Sequence, residues 1–499
     1  MKLTKLIGAA GPCHDARCSG EPDITGITAD SRAVRAGFLF AALPGAQHDG
    51  RRFAAEAIAR GAAAILTDDE AALDLSAEMR RGVAVVIDPN PRRRLALAAA
   101  RFYGPPPPVI AAVTGTNGKT SVAHFTREIW SAAGYLAASL GTLGIITPSE
   151  RRPGALTTPD PVALHRELAG LAKRDVTHLA VEASSHGLAQ FRLDGLSVAA
   201  AAFTNLTRDH LDYHRDMADY RAAKERLFTA LLKPGQAAIL NRDSDEFSRL
   251  SALCRERGHP VLAYGFDAAA ELQLVAAQPR ARGQDLVIAI FGERHALFLP
   301  LLGRFQAMNA LAALGLAIST GVPPAAGIAA LAQLSAGPGR MQFVAVGEGG
   351  GGILVDYAHT PDALATVLAA LRRHTPGRLV VLFGAGGDRD PGKRPLMGAS
   401  AADTADRVYV TDDNPRGEDP AAIRRAILDG APGAIEIGDR RRAIETAISE
   451  LAPGDLLVIA GKGHETGQIV GSQTLPFDDA EIARECVRQH AHGLRMVMA

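Results

Sequence analysis

The chain has 499 residues, 47% of them hydrophobic and 22% charged, with 54 lysines and arginines against 54 aspartates and glutamates. That length exceeds one hydrophobic core, so two to four domains of an ordinary globular protein are expected. The even charge balance offers no pull towards nucleic acid or an anionic membrane, and no apolar run approaches the roughly 20 residues of a transmembrane helix. The opening Met1-Lys2-Leu3-Thr4-Lys5-Leu6 has two lysines but no apolar stretch of signal-peptide length, so the cytoplasm is the expected compartment. Four cysteines do not make a disulfide framework in this length. Cys13, His14 and Cys18 lack a second Cys/His pair to complete a zinc site, and the cysteines read as reduced thiols.

Residues 1–105 form the first expected domain, a small α/β unit. Segment 24–32 alternates like a strand and ends in turn formers, 37–42, 63–66 and 83–87 read as strands, and 53–60 and 92–102 as helices. Gly104 and the four prolines Pro105 to Pro108 cannot continue a helix and mark a boundary. Residues 106–336 alternate strands (109–113, 178–182, 198–204, 237–240) with helices, which predicts a mostly parallel sheet covered on both faces. Segment 260–300 looks richer in hairpins. Ala336-Gly337-Pro338-Gly339 marks a second break. Residues 337–499 repeat the strand–helix pattern, with strands at 353–356, 379–384, 408–411 and 456–461, as in a Rossmann-like domain. The predicted class is α/β in three domains, with a phosphate-loop domain in the centre.

That loop is Gly115-Thr116-Asn117-Gly118-Lys119-Thr120, between the 109–113 strand and a helical pattern from Ser121 to about Ala133. Glycines let backbone N–H groups turn inward, and the helix N-terminus adds positive potential, so the stretch is a phosphate cradle. Lys119 would reach outer phosphates and the Thr120 hydroxyl would hold Mg²⁺. The usual motif has a glycine where Val113 stands, so this is a shortened version.

Helical spacing puts Tyr220, Lys224, Leu227 and Phe228 on one face. A lysine in an apolar stripe should lose proton affinity, and its neutral amine could add CO₂ to form an anionic carbamate. The stripe fits equally a lysine whose stem packs while its head reaches water. Glu182-Ala183-Ser184-Ser185-His186 ends one strand, and Thr204 to His214 follows the next, so both fall at the carboxyl edge where α/β folds bind ligands. Glu182 is a candidate Mg²⁺ ligand with Thr120. In the third domain four polar loops end predicted strands: 356–361, 384–390, 412–416 and 461–465. Arginine forks at Arg389 and Arg416 beside Asp413 and Glu465 suit a zwitterion such as an amino acid.

Together these pieces resemble the Mur ligases, ATP-dependent enzymes that form peptide bonds in cell-wall precursor synthesis. The match spans Asp30-Ser31-Arg32, Thr114 to Thr120, Thr157-Thr158, Glu182 to His186, Asn205 to His214, Lys224, Gly339-Arg340-Met341, Asp356 to Pro361, Gly386 to Lys393, Asp413 to Arg416 and Gly461 to Glu465. The shortened glycine loop is a feature of that family. The resemblance implies that Gly115, Thr116, Asn117, Gly118, Lys119, Thr120 and Ser121 hold ATP, with Asn309, Arg340, Asp356, Tyr357 and His359 contacting nucleotide. It implies two Mg²⁺ ions: one on Thr120 and Glu182, the other served by Glu182, His210 and carbamylated Lys224. It puts Ser31, Gln47 and His48 near a UDP moiety, and Thr157, Thr158, Ser184, Gln190 and Arg192 at a muramoyl-dipeptide. Leu156 stands where the family often has asparagine.

The resemblance further assigns an amino-acid site to Arg389, Asp413, Asn414, Pro415, Arg416, Gly461 and Glu465. Asp-Asn-Pro-Arg marks members that add meso-diaminopimelate, whose second carboxylate an arginine fork would pair. The implied reaction joins that amino acid to UDP-N-acetylmuramoyl-L-alanyl-D-glutamate through an acyl phosphate, with Lys119, Lys224, His210 and Glu182 at the chemistry and domain closure excluding water. A monomer is expected. A lysine-adding ligase and a folylpolyglutamate synthase are the competing enzyme readings, which Arg416 and the separate N-terminal domain oppose. A nucleotide-regulated binding protein is the competitor from outside the enzymes, and needs neither a carbamate nor a zwitterion pocket.

Overall fold

The computed structural model describes residues 1–8, 17–18, 20–45, 49–73, 75–154, 156–211 and 213–497. The expectations on Cys13, His14, Gln47 and His48 lie outside the described residues. Two compact units form: Met1–Tyr264 with Ala312–Gly327, and Gly265–Leu311 with Ile328–Ala499.

The first unit opens with a five-stranded sheet in the order Arg17–Cys18, Ala84–Ile87, Ala64–Thr67, Phe38–Ala41, Gly26–Thr28, parallel except at the first strand. Within 24–32 the strand is Gly26–Thr28. Asp30 accepts the Arg32 N–H and turns the chain into the 3₁₀ turn Ser31–Ala33. The helix Pro91–Tyr103 starts with Asn90 as cap and proline in its first turn, and ends at Gly104 with φ of 93°. Asp194, 3% exposed, accepts from Arg93 on this helix at 3.0 Å and from Arg226 at 2.8 Å, fastening the small sheet to the larger one.

That larger sheet pairs strands in the order Val261–Gly265, Leu232–Asn241, Val198–Phe203, Val109–Thr114, His178–Glu182 and Ala137–Gly141, all parallel. Gly144–Ile146 and Arg151–Arg152 add an antiparallel edge. A parallel sheet covered on both faces needs near-continuous apolar strands, which explains Val198-Ala-Ala-Ala-Ala-Phe203 and Leu179 to Val181, nearly all buried. Val109–Thr114 lies between Val198–Phe203 and His178–Glu182. The loops leaving these three strands are therefore neighbours at one carboxyl edge.

The second unit starts with the antiparallel strands Leu272–Arg280, Gly283–Ile290 and Glu293–Leu299, the hairpins expected near 260–300. They pack within this unit. His374 bonds the Arg280 carbonyl through Nδ1 at 2.9 Å, and its Nε2 accepts the Gly303 N–H at 3.0 Å. A six-stranded sheet follows in the order Gln342–Val346, Gly352–Asp356, Leu456–Ala460, Leu379–Phe383, Arg407–Val410, Ile435–Glu436, antiparallel only at Gln342–Val346. Alternate residues of each strand feed two cores. Leu354, Val381 and Val458 join one, and Ile353, Val380 and Leu457 the other. Helices therefore cover both faces.

Candidate active site

In the first unit, Val109–Thr114 leads into Gly115 at φ of 145°. A Cβ there would fall 1.9 Å from Thr204 Oγ1, so only glycine fits. Gly118, at φ of 88°, caps the helix Lys119–Ala132 with no side-chain cap, which leaves the first-turn N–H groups for an anion. The 204–207 segment clamps this loop. Thr204 donates to the Asn117 carbonyl at 2.6 Å, Asn117 N–H to Asn205 Oδ1 at 3.0 Å, and Thr207 N–H to Thr116 Oγ1 at 3.0 Å. Lys119 Nζ donates to the carbonyls of Gly115 and Thr116 at 3.0 and 2.7 Å.

Lys224 is 1% exposed, on the helix Met217–Arg226. Its Nζ donates to the Gly115 carbonyl at 2.7 Å and lies 4.2 Å from the Tyr220 ring centroid. Burial first, then the Lys119 ammonium, push this amine well below the usual lysine range, while Asp209 opposes them. Of the two sequence readings of Lys224, the head in water is excluded by its burial. Tyr220 is fully buried, pairs its hydroxyl with Thr116 at 3.1 Å, and is pushed up to about 12 by burial.

Glu182 ends the strand His178–Glu182 at 2% exposure. Thr120 donates to its Oε2 at 3.0 Å. Thr142 donates its N–H to Oε1 at 2.8 Å and its hydroxyl to Oε2 at 3.1 Å. Gly141 makes room, since a Cβ there would meet Oε1 at 2.0 Å. Thr142 also bonds Thr157 at 3.0 Å, so a residue the sequence did not single out joins Glu182 to a dipeptide candidate.

The other dipeptide candidates continue this network. Thr158 donates to the Glu182 carbonyl at 2.9 Å and accepts from Ser184 Oγ at 2.9 Å. Arg192 donates to the Thr158 carbonyl at 2.6 Å and to Gln190 Oε1 at 2.7 Å, and Gln190 donates to the Tyr213 hydroxyl at 3.0 Å. Leu156 is half exposed beside them in sequence. Ser31 instead lies in the small sheet's module, bonded to Glu56 at 3.2 Å. His210, at φ of 54°, sets its ring against His186 and, more distantly, Tyr220.

In the second unit the four polar loops leave adjacent strands at one sheet edge. Asp356 accepts the N–H groups of Met341 and Ala358 at 2.7 and 2.8 Å, and burial pushes its carboxyl up against the pull of Arg340. The Arg340 guanidinium stacks 4.7 Å from the Tyr357 ring, and Tyr357 neighbours His359. Asn309 bonds Gln306 at 2.9 Å. Arg416, at φ of 52°, is fixed by its N–H to the Ile469 carbonyl and by its guanidinium to the Gly387 carbonyl at 2.9 Å. A Cβ on Gly386 would sit 2.7 Å from that guanidinium, and one on Gly461 the same distance from Asp413 Oδ2. Asn414 donates to Glu465 Oε2 at 2.8 Å. Arg389 is exposed on the loop after Phe383.

In sequence, the Mur ligase family catalytic domain matches residues 23–103, the Mur ligase middle domain 113–317, and the Mur ligase glutamate ligase domain 339–463. The chain belongs to the Mur ligase family. This Mur ligase is 52% identical over 485 residues to the UDP-N-acetylmuramoyl-L-alanyl-D-glutamate--2,6-diaminopimelate ligase of Bradyrhizobium diazoefficiens, covering 96% of this chain and 98% of that protein. It is 53% identical to the protein of the same name in Caulobacter vibrioides, over 92% of this chain and 94% of that one. A solved structure of a UDP-N-acetylmuramoyl-L-alanyl-D-glutamate--2,6-diaminopimelate ligase superposes with a TM-score of 0.70 at 35% identity, over 94% of this chain and 96% of that one.

The metal set of this Mur ligase can be tested on its own donors. Thr120 and Glu182 bring two oxygens within 3.0 Å of each other at the edge of the phosphate loop, a hard-oxygen set that fits Mg²⁺. Among the described residues no three His, Cys, Asp or Glu side chains are placed to hold a metal.

Proposed function

We propose that this Mur ligase adds meso-2,6-diaminopimelate to UDP-N-acetylmuramoyl-L-alanyl-D-glutamate with ATP, a step of peptidoglycan precursor synthesis in the cytoplasm, and that it works as a monomer. The observation that carries the amino-acid choice is the Asp413-Asn414-Pro415-Arg416 loop, whose guanidinium is held by the Gly387 carbonyl and whose Asn414 amide bonds Glu465. A guanidinium there pairs a second substrate carboxylate, which lysine lacks.

In the reaction, a D-glutamyl carboxylate oxygen attacks the γ-phosphorus of ATP, and the bond to the β,γ-bridging oxygen breaks to release ADP. The diaminopimelate nitrogen then attacks the acyl carbon. The C–O bond to phosphate breaks, the nitrogen sheds a proton, and an amide and inorganic phosphate result. Gly115 to Ser121 cradle the phosphates, and Lys119 leaves its two carbonyls to meet the γ-phosphate. Thr120 and Glu182 would hold Mg²⁺, which supplies charge neutralisation at the transferring phosphoryl. Lys224, as carbamate, and His210 would serve a second ion. Thr157, Thr158, Ser184, Gln190 and Arg192 orient the dipeptide, and Ser31, Gln47 and His48 the uridine end. Asn309, Arg340, Asp356, Tyr357 and His359 contact the nucleotide. Arg389, Asp413, Asn414, Arg416, Gly461 and Glu465 orient the incoming amino acid.

Phosphate release measured with the UDP-muramoyl-dipeptide and each candidate amino acid tests the proposal. Turnover with meso-diaminopimelate and little with L-lysine is expected. Equal turnover with lysine would remove the role given to Arg416.

A further inference from the structure

The second unit carries a buried cation that the proposed reaction does not use. Lys462 is 0% exposed, in the loop that leaves the strand Leu456–Ala460. Its ammonium has three acceptors: the Gly467 carbonyl at 2.6 Å, Glu465 Oε2 at 3.1 Å and Asn414 Oδ1 at 3.2 Å. Three donors on three acceptors satisfy it fully. Two of the three acceptors belong to residues of the amino-acid site.

This arrangement fixes both groups. Asn414 Oδ1 accepts from Lys462 and from the Ile469 N–H at 2.9 Å, so the amide cannot flip without losing two bonds. Its Nδ2 is thereby aimed at Glu465 Oε2, at 2.8 Å. Oε2 then carries two donors, Lys462 and Asn414, while Oε1 has no partner among the described residues. Ile469 N–H bonds Asn414 and the Ile469 carbonyl accepts the Arg416 N–H at 3.0 Å, so the same lock reaches the arginine. Held this way, Glu465 has Oε2 tied down by two donors and Oε1 open, the geometry an incoming ammonium needs.

We propose that Lys462 is a positioning residue for amino-acid recognition: through Asn414 and Glu465 it presents one carboxylate oxygen to the substrate's ammonium and sets the register of Arg416. The proposal rests on the amino-acid site described above.

The test compares wild type with Lys462→Met and Lys462→Gln in two assays. The first measures KM and kcat for meso-diaminopimelate ligation. The second replaces the amino acid by hydroxylamine, whose nitrogen attacks the acyl phosphate and releases phosphate and a hydroxamate, and so reports the first step alone. Both variants should raise KM for meso-diaminopimelate at least tenfold, with KM for ATP within twofold of wild type and hydroxamate formation retained. An unchanged KM for the amino acid would overturn the proposal. So would an equal fall in hydroxamate formation, or insoluble protein from both variants, since either assigns Lys462 to the fold. If wild type forms hydroxamate but does not ligate meso-diaminopimelate, the proposed substrate fails rather than the lock, and the same KM shift is then sought with the amino acid that supports turnover.

Discussion

Lys119 and Lys224 donate to one acceptor, the Gly115 carbonyl oxygen, at 3.0 and 2.7 Å. Their two nitrogens therefore lie within about 6 Å, where two full charges repel by about 3 kcal/mol at an effective dielectric of about 20. Lys119 must stay charged to meet phosphate. Lys224, 1% exposed, is the one whose proton affinity is pushed well below the usual lysine range. Carbamylation requires an unprotonated amine, which a lowered proton affinity favours.

Lys224→Ala is expected to lower kcat at least 10²-fold, the scale of losing one group that stabilises developing charge. Short carboxylic acids such as formate should restore part of it by supplying the missing anionic oxygen. Steady-state rates with and without added acid check this, and full activity in the variant without acid removes the carbamate.

The same burial has a thermal signature. In CO₂-free buffer the unfolded chain regains the ordinary lysine affinity, so between the depressed folded value and about 10.4 only the unfolded chain holds the proton. Wild-type stability should rise with pH through that window. Lys224→Met has no such proton, so its Tm advantage over wild type should be largest at acidic pH and shrink towards pH 10. Melting curves across pH test it, and a gap that widens as pH rises contradicts the burial account.

Gly115→Ala would place a Cβ 1.9 Å from Thr204 Oγ1 at a φ of 145° that L-residues rarely adopt. Strain of about 1–3 kcal/mol is expected, and the clamp from Thr204 to Asn117 should open. Nucleotide affinity by calorimetry should fall at least tenfold, whereas an unchanged affinity would mean that the loop tolerates the shift.

Glu182→Gln keeps the shape of the group but gives one of its two oxygen positions an amide. Thr120 and Thr142 then donate to a weaker acceptor or face a donor. A loss of about 10²–10³ in kcat is expected. Thr142→Val keeps the backbone bond and removes the hydroxyl, so its loss should be smaller, about tenfold, and should also raise KM for the dipeptide through Thr157. A Thr142→Val enzyme with both constants unchanged would show that Glu182 needs no such support.

Arg416→Lys leaves a charge but no fork. Affinity for meso-diaminopimelate should drop by about 1.5–3 kcal/mol, roughly 10- to 150-fold, while discrimination against L-lysine narrows. Competition between the two amino acids in one reaction measures it.

The phosphate loop was legible because glycine, lysine and threonine occupy positions that backbone geometry dictates. The strands 178–182 and 198–203 were legible because a covered parallel sheet leaves no polar face. The Lys224 stripe was visible at helical spacing, but the stripe alone could not say whether the ammonium reached water, and burial decided it. Thr142 was not legible. The strand it follows, Ala137–Gly141, is short and small-sided, and its value comes from that strand's pairing beside His178–Glu182, a contact no local pattern encodes. The turn formers that end 24–32 act through Asp30, whose side chain accepts the Arg32 N–H. Lys462 was passed over because nothing in Gly461-Lys462-Gly463 tells a wet lysine from a buried one.

The helix that carries Lys224 passes at Leu227 into a π-helical turn, Leu227–Leu231. Such a turn is what an α-helix becomes when it holds one residue too many. The lysine and the core anchor Leu231, 5% exposed, thus stand out of phase by one residue, about 100° of rotation. Removing Thr229 or Ala230 would shift the register between Lys224 and Leu231 and force a choice. Either Lys224 swings away from Gly115, or Leu231 leaves the core. The length of this segment is therefore as fixed as the identity of its lysine, and a shortened version can be well folded or able to work, but not both.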